Sequence, residues 1–217
     1  MQKHKLLFFD TSLEAIDTYR KALAVSDYLD YDFVVDNIRN IVSSHDIHIL
    51  VSPANSCGFM DGGIDAVYMD MFPGIEDRVK ARIARCVTTE TQHGIRALPI
   101  GSAILVSTGD PMIKLLACVP TMMMPGNIQG TYNVYWAMRG LLRLMDRVQC
   151  SSPIVVALPA LGTGVGKLDP DVSAHQVTSA IDDHYRGNSA VCDPECKVDV
   201  VDEDLKWAYV LSGHATP

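Results

Sequence analysis

The chain has 217 residues, of which 48% are hydrophobic and 20% charged, and its formal net charge at pH 7 is -8. This composition is typical of a globular protein and argues against a fibrous or disordered one, and the length suits one α/β domain with at most a modest appendage. The acidic balance argues against a broad surface for nucleic acid or for an anionic membrane.

No segment reaches the roughly 20 apolar residues that a membrane helix needs. The basic start "MQKHK" is followed by only four apolar residues before Asp10, too few for the apolar core of a signal peptide. We therefore expect a cytoplasmic protein with no contact with a membrane.

The first half of the chain alternates between strand and helix patterns. The apolar run "KLLFFD" predicts a strand ending at Asp10, and "TSLEAIDTYRKAL" spaces its apolar residues as a helix does, behind a Thr or Ser cap. The runs "YDFVVD" and "DIHILVS" predict two further strands. This rhythm is typical of a layered α/β sheet.

The second half continues the alternation. Its predicted strands are "SAILVST", "KLLACVP" and "IVVALP", and its predicted helices cover about Ile75 to Thr91, Gly130 to Gln149 and Pro170 to Tyr185. We expect one domain over residues 1–187, because no repeat or linker interrupts it. Residues 188–217 then form a tail that could add an edge strand and a short helix to the same domain.

Six cysteines are dispersed along the chain, mostly within apolar runs. Dispersed cysteines of this kind are more often reduced core residues than a disulfide framework. Cys192 and Cys196, in "CDPEC", have the spacing of zinc ligands but lack a second Cys or His pair, so a turn is the favoured interpretation. We expect neither a metal nor another cofactor.

Two glycine-rich loops follow predicted strands, in "SPANSCGFMDGGIDA" (residues 52–66) and "ALPALGTGVGKL" (residues 157–168). Glycine lets the backbone approach a ligand, and free backbone amides can surround a phosphate. The second loop matches neither the Walker loop nor the dinucleotide fingerprint, and by itself it could be no more than a tight turn. In an open α/β sheet, loops at the carboxyl ends of two strands can line one cleft.

Taken together with "IGSAILVSTGD" and the strand ending "CVPTM", these two blocks resemble the macrodomain family of ADP-ribose-binding modules. The likeness covers roughly residues 30 to 185, and the form "SPANS.GFMDGGID" is especially similar to macrodomains of phage-tail-associated proteins. The resemblance implies a three-layer α/β/α sandwich with a central mixed sheet. It also implies ADP-ribose or an ADP-ribosylated protein as the partner.

The resemblance also assigns roles to single residues. Asp36, after the second strand, would accept a hydrogen bond from the adenine amine, and Asn55 would contact the distal ribose. The remaining ligand-binding residues would surround the diphosphate with backbone amides; they are Gly62, Gly63, Ile64, Gly162, Thr163, Gly164, Val165 and Gly166. Carboxylates are tolerable in such a cleft where they face sugars rather than phosphates.

Asp65 is the residue on which hydrolytic activity, as opposed to binding alone, would depend. In hydrolytic macrodomains an aspartate ten residues after the asparagine helps to activate the attacking group, and here "GGID" supplies Asp65 to act with Asn55. The resemblance thus implies hydrolysis of ADP-ribosyl esters, on a mono-ADP-ribosylated protein or on O-acetyl-ADP-ribose. The alternatives are a non-catalytic reader, an ADP-ribose 1''-phosphate phosphatase, and, for Asp65 itself, a first-turn carboxylate that complements a helix dipole.

Two positions depart from the hydrolytic pattern. Gly166 stands where the family often has an aromatic residue that packs on the distal ribose, and Met69 stands where a histidine is frequent. These changes would widen the distal pocket or remove activity.

Overall fold

The computed structural model describes residues 4–87, 94–148 and 152–187. Strands and helices alternate along these residues. In chain order they are β1 (Lys5–Asp10), α1 (Leu13–Leu23), β2 (Asp30–Val35), α2 (Ile38–Ser44), β3 (Ile49–Ser52), α3 (Gly63–Met71), α4 (Ile75–Cys86), β4 (Ile104–Ser107), β5 (Leu115–Cys118), α5 (Asn133–Arg147), β6 (Val155–Pro159) and α6 (Pro170–Tyr185).

The strands form one six-stranded sheet in the order β2-β1-β6-β3-β5-β4. Neighbouring strands run parallel except β4, which pairs antiparallel with β5. The sheet is therefore mixed, as expected. The carboxyl ends of β2, β1, β6, β3 and β5 consequently lie along one edge, where loops from separate strands meet.

Helices cover both faces of the sheet. Side chains of β1 alternate between the two sides, with Leu6 and Phe8 packed in the cluster that contains α1, α5 and α6. Leu7 and Phe9 pack instead with α2, α3 and α4. Successive residues of a strand point to opposite faces, so both sides of β1 are buried. The expected three-layer α/β/α sandwich is confirmed.

The largest difference from the sequence prediction is α2, which lies between β2 and β3 where no helix was expected. It has seven residues and only Ile38 and Ile41 are buried, too few for a clear helical period. Its start is fixed by Asn37, whose side chain accepts a hydrogen bond from the Asn40 amide. A local cap and two apolar contacts are enough to form this helix.

Helix boundaries also differ where loops intervene. α5 begins at Asn133 rather than near Gly130. The loop at residues 162–166 forms a turn of its own, and α6 starts only at Pro170 behind the cap Asp169. The predicted limits of α6 itself are confirmed.

The predicted tail, residues 188–217, lies outside the described residues, as do Cys192 and Cys196. The division into one domain and a tail stays a prediction. Among the described helices, none is long and apolar enough to cross a membrane.

Candidate functional site

Two neighbouring chambers lie along the carboxyl edge of the sheet and together form a cleft. The Asp36 chamber, of about 490 Å³, contains Asp36 after β2 and is bounded by α2 and α3. The Asp65 chamber, of about 200 Å³, lies between the two glycine loops. The residues that line both chambers are Asp10, Gly63, Ile64 and Pro159. The start of α3 therefore forms part of the wall of both chambers.

Asn55 lies in the Asp65 chamber, where its carboxamide folds the first loop. Its Oδ1 accepts hydrogen bonds from the amides of Cys57 at 3.1 Å and Phe59 at 3.2 Å. Its Nδ2 donates to the Phe59 carbonyl at 2.7 Å. A carboxamide has two N–H groups, so one N–H remains for a ligand after these contacts.

Asp65 lies at the base of the same chamber, in the first turn of α3, with only 7% of its surface exposed. Its Oδ1 accepts a hydrogen bond of 2.6 Å from the Ser52 hydroxyl, at the end of β3. Burial raises the pKa of Asp65 to about 7, while the Ser52 hydrogen bond acts in the opposite direction. The carboxyl group is thus divided between its protonated and ionised forms near neutral pH.

The start of α3 presents backbone rather than side chains to the cleft. Its cap, Gly62, makes no side-chain hydrogen bond, and the first amides of a helix have no partner within it. Gly63 has a φ of 56°, and a Cβ there would meet nothing within 4 Å. The amides of Gly63 and Ile64 can therefore receive an anion.

The glycines of the second loop divide into two kinds. A Cβ at Gly162 would lie 2.8 Å from Ile128 Cδ1, and a Cβ at Gly166 would lie 2.5 Å from the Gly162 carbonyl. A Cβ at Gly164 would meet nothing within 4 Å. Gly162 and Gly166 are required to form the turn, whereas Gly164 exposes its backbone to the cleft.

The two loops come close across the cleft, since a Cβ on Gly62 would lie 3.8 Å from Val165 Cγ2. Thr163 lines the Asp65 chamber, but its hydroxyl donates to the Ala160 carbonyl at 3.0 Å. At Gly166 no side chain fits on this backbone, so an aromatic residue cannot be accommodated there without moving the turn. The loop geometry, rather than a lost side chain, explains the glycine at this position.

The sequence over residues 51–177 matches the Macro domain family. The chain is a macrodomain. A protein of Aquifex aeolicus described as uncharacterized is 29% identical over 180 residues, which cover 80% of this chain and 95% of that protein. The narrower likeness to phage-tail-associated macrodomains stays a prediction.

Solved structures resemble this macrodomain at low sequence identity. A variant of the Oceanobacillus iheyensis macrodomain solved with ADPR has a TM-score of 0.51 and 14% identity, covering 78% of this chain and 86% of its own. The macrodomain of Mycobacterium tuberculosis DarG has a TM-score of 0.49 and 22% identity, covering 64% of this chain and 84% of its own. At these identities the likeness concerns the fold.

The macrodomain cleft separates Asp36 from Asn55 and Asp65. Asp36 Oδ1 accepts hydrogen bonds from the Asn37 amide at 2.7 Å and from Asn40 Nδ2 at 2.8 Å, which orient the carboxylate at the start of α2. All the other predicted site residues line the Asp65 chamber. The predicted site residues thus lie along one cleft, with Asp36 at one end.

The charges of the cleft are mainly negative. Its carboxylates belong to Asp10, Asp36, Asp61 and Asp65, and among the residues that the structure describes Arg39 is the only Lys or Arg that lines either chamber. Arg39 forms an ion pair with Asp70 across α2 and α3. An anion in the middle of the cleft would accordingly depend on backbone amides.

Several lining residues were not predicted. Asp10, Phe59, Met122 and Pro125 all line the Asp65 chamber. Asp10 could have been found because it ends a strand, like the segments before both glycine loops. Met122 and Pro125 belong to "TMMMP", a cluster that favours apolar packing beneath or beside the site, although methionines can also line an adaptable pocket.

Proposed function

We propose that this macrodomain binds ADP-ribose with adenosine in the Asp36 chamber and the distal ribose in the Asp65 chamber. The observation that carries this proposal is the junction of the two chambers at the uncapped start of α3, opposite the open backbone of Gly164. ADP-ribose has its two phosphate charges between neutral ends, so it needs amide donors at the middle of a cleft and polar side chains at the ends. The ADPR in the Oceanobacillus iheyensis structure supports the same ligand class.

In this arrangement the amides of Gly63 and Ile64 hold one side of the diphosphate, and those of Gly164 and Val165 hold the other. Asp36 accepts a hydrogen bond from the adenine amine. The free N–H of Asn55 donates to a hydroxyl of the distal ribose. Gly162, Thr163 and Gly166 act by shaping the loop.

We further propose that the protein hydrolyses ADP-ribosyl esters and that Asp65 is the general base. The ionised carboxylate takes a proton from water while the water oxygen attacks the anomeric carbon of the distal ribose. The bond from that carbon to the ester oxygen breaks, which releases the carboxylate of the modified side chain and leaves ADP-ribose. A pKa of about 7 suits a base that works near neutral pH.

A non-catalytic reader is the second candidate, and the burial of Asp65 favours it. With 7% exposure and a hydrogen bond to Ser52, the carboxyl group has a structural role that requires no substrate. In a reader, the same cleft would hold the ADP-ribosyl group of a modified protein without cleaving it.

Binding is tested by calorimetric titration of ADP-ribose into wild type, Gly164→Ala, Gly164→Gln and Gly164→Glu. We expect wild type to bind, the alanine variant to bind more weakly, and both larger variants to lose binding while keeping wild-type melting temperatures. The glutamine variant separates the effect of bulk from that of charge. Unchanged affinity in Gly164→Gln would mean that the ligand lies elsewhere.

Hydrolysis is tested by release of ADP-ribose from a protein mono-ADP-ribosylated on glutamate. Asp65→Asn should bind ADP-ribose as wild type does and release it about a hundredfold more slowly, the usual range for a lost general base. Binding without release by wild type would identify a reader. Equal release by both proteins would remove Asp65 from the mechanism.

A further inference from the structure

A short segment with three methionines, residues 121–125, borders the Asp65 chamber. Met122 and Pro125 line the chamber, and between them Met123 and Met124 are 50% and 52% exposed. The segment follows β5, which lies on the far side of β3 from β1 and β2. It therefore borders the end of the cleft opposite Asp36.

The backbone of this segment is held in place by the first cleft loop. The Met122 carbonyl accepts a hydrogen bond of 2.8 Å from the Ser56 amide, and Met122 forms a β-bridge with Asn55. The Cys57 sulfur lies 3.5 Å from the sulfur of Met124. The exposed methionines thus form a fixed surface continuous with the chamber that Asn55 lines.

Other apolar side chains belong to the same chamber. Phe59 also lines it, and Val165, on the second glycine loop, is 46% exposed. Methionine side chains adapt to irregular apolar partners, and a group of exposed apolar residues beside a binding cleft is typical of an interaction site. No Lys or Arg occurs in residues 121–125, and the net charge of -8 disfavours a nucleic-acid partner.

We propose that Met123 and Met124 bind apolar side chains that flank the modified residue of an ADP-ribosylated polypeptide. The proposal rests on the proposed function, because it requires ADP-ribose in the cleft with its distal ribose at the Asn55 end. From that ribose the modified polypeptide leaves the cleft past Met122 and meets the exposed methionines. The segment then selects among modified proteins by the residues beside the modification.

The test compares free ADP-ribose with two ADP-ribosylated peptides joined through a linkage that resists hydrolysis. The peptides have equal length and charge, and their flanking residues are leucine and phenylalanine in one and serine and glycine in the other. Wild type should bind the apolar peptide on the order of tenfold more tightly than the polar one. Met123→Ser/Met124→Ser should bind both peptides equally and free ADP-ribose as wild type does.

Met112→Ser is the matched control, since Met112 is 78% exposed and lines neither chamber. It should keep the full preference for the apolar peptide. Equal binding of the two peptides by wild type, or a preference that survives in the double variant, would overturn the proposal. Tighter binding of an ADP-ribosylated oligonucleotide than of either peptide would overturn it as well.

The result with free ADP-ribose shows whether the role of the methionines or the proposed binding of ADP-ribose is wrong. If wild type binds free ADP-ribose but shows no preference between the peptides, only the role of the methionines is wrong. If wild type does not bind free ADP-ribose at all, the proposed function fails and this inference fails with it.

Discussion

Two features of the Asp65 site have opposite effects on the stability of its ionised carboxyl group. Its carboxyl group lies at the base of the cleft, and the Ser52 hydroxyl donates to it, but burial makes the ionised form costly. The folded protein therefore retains the proton to a pH of about 7, whereas the same group in the unfolded chain loses it around the ordinary value of 3.8.

The sign of the pH dependence follows from this difference. Between the two pKa values the unfolded chain binds fewer protons at this site than the folded protein, so the contribution of Asp65 to stability falls as the pH rises from about 4 to 7. Asparagine cannot ionise, so the stability of the Asp65→Asn variant lacks this decline with pH. Between pH 5 and pH 8 we expect wild type to lose on the order of 2 kcal/mol more in free energy of unfolding than the variant does.

Urea denaturation of both proteins at each pH measures this difference in the free energy of unfolding, and contributions from groups common to both proteins cancel.

Ser52→Ala provides a second check of the pKa of Asp65. Without the hydroxyl the pKa of Asp65 should rise further, so the decline should move to higher pH. Parallel stability profiles for wild type and Asp65→Asn would show that the carboxyl group is not perturbed by burial.

At this scale the sequence predicted which residues meet but not what each one contacts. Asn55 and Asp65, predicted to act together, line one chamber, and their roles there stay a prediction. The use of the Asn55 carboxamide to fold its own loop, and the difference between Gly162 and Gly164, depend on atoms brought together only by the tertiary structure. Local sequence contains no signal for such contacts.

The loop between β3 and α3 is held by α4 as well as by Asn55. Glu76 Oε2 accepts a hydrogen bond of 2.9 Å from the Met60 amide, and its other oxygen pairs with Lys80 at 2.5 Å. The Lys80 hydrogen bond, followed by that of Met60, lowers the pKa of Glu76. Lys80 also lies 4.4 Å from the ring centroid of Phe59, which lines the Asp65 chamber.

Because Glu76 lines neither chamber and holds the loop through the Met60 amide, Glu76→Ala should weaken ligand binding indirectly. We expect the affinity for ADP-ribose to fall several-fold and the free energy of unfolding to fall by about 1–2 kcal/mol, because the Met60 hydrogen bond and the Lys80 ion pair are both lost. Calorimetric titration and urea denaturation measure the two effects. Asp77→Ala is the matched control, since Asp77 is exposed in the same first turn of α4.

Both substitutions remove an acidic residue near the start of the same helix, so they perturb the helix dipole alike. Only the change at residue 76 releases the loop. Equal losses of affinity in the two variants would attribute the effect to the helix rather than to the Met60 contact.

Strands and helices could be predicted from the sequence where burial gives their residues a regular apolar pattern. The strands β1, β3 and β5 were found as apolar runs, since most of their residues are buried by helices on both faces, whereas the edge strand β2, with no buried residue, was found by its alternation. α6 was predicted to its limits because Asp169 caps it and a proline occupies its first turn. α2 was missed because its two buried residues cannot establish a period.

For the whole molecule, the order of the strands determines the order of the proposed ligand contacts along the cleft. Asp36 follows the edge strand β2, and the methionine segment follows β5, with both glycine loops between them. The sequence could predict that these loops share an edge of the sheet. It could not predict their order along that edge, because strand order depends on crossovers and not on local pattern.

The negative charge of the protein leads to a prediction about the salt dependence of binding. This dependence shows whether backbone amides or cationic side chains bind the diphosphate. ADP-ribose and the protein are both negative, so their long-range repulsion weakens as salt shortens the Debye length from about 30 Å at 0.01 M to about 10 Å at 0.1 M. Amides carry no net charge for salt to screen. The association rate constant should therefore rise about twofold over this range, with affinity constant or slightly higher.

Stopped-flow binding in potassium glutamate measures this dependence, and adenosine, which lacks phosphates, should show none. Affinity for ADP-ribose that falls steeply with salt would instead mean that a cation contacts the phosphates. Arg39 is the candidate, since it alone among the lining residues is a Lys or Arg, and it would first have to leave Asp70. Loss of the salt dependence in Arg39→Gln would then identify that contact, and the amide site would be wrong.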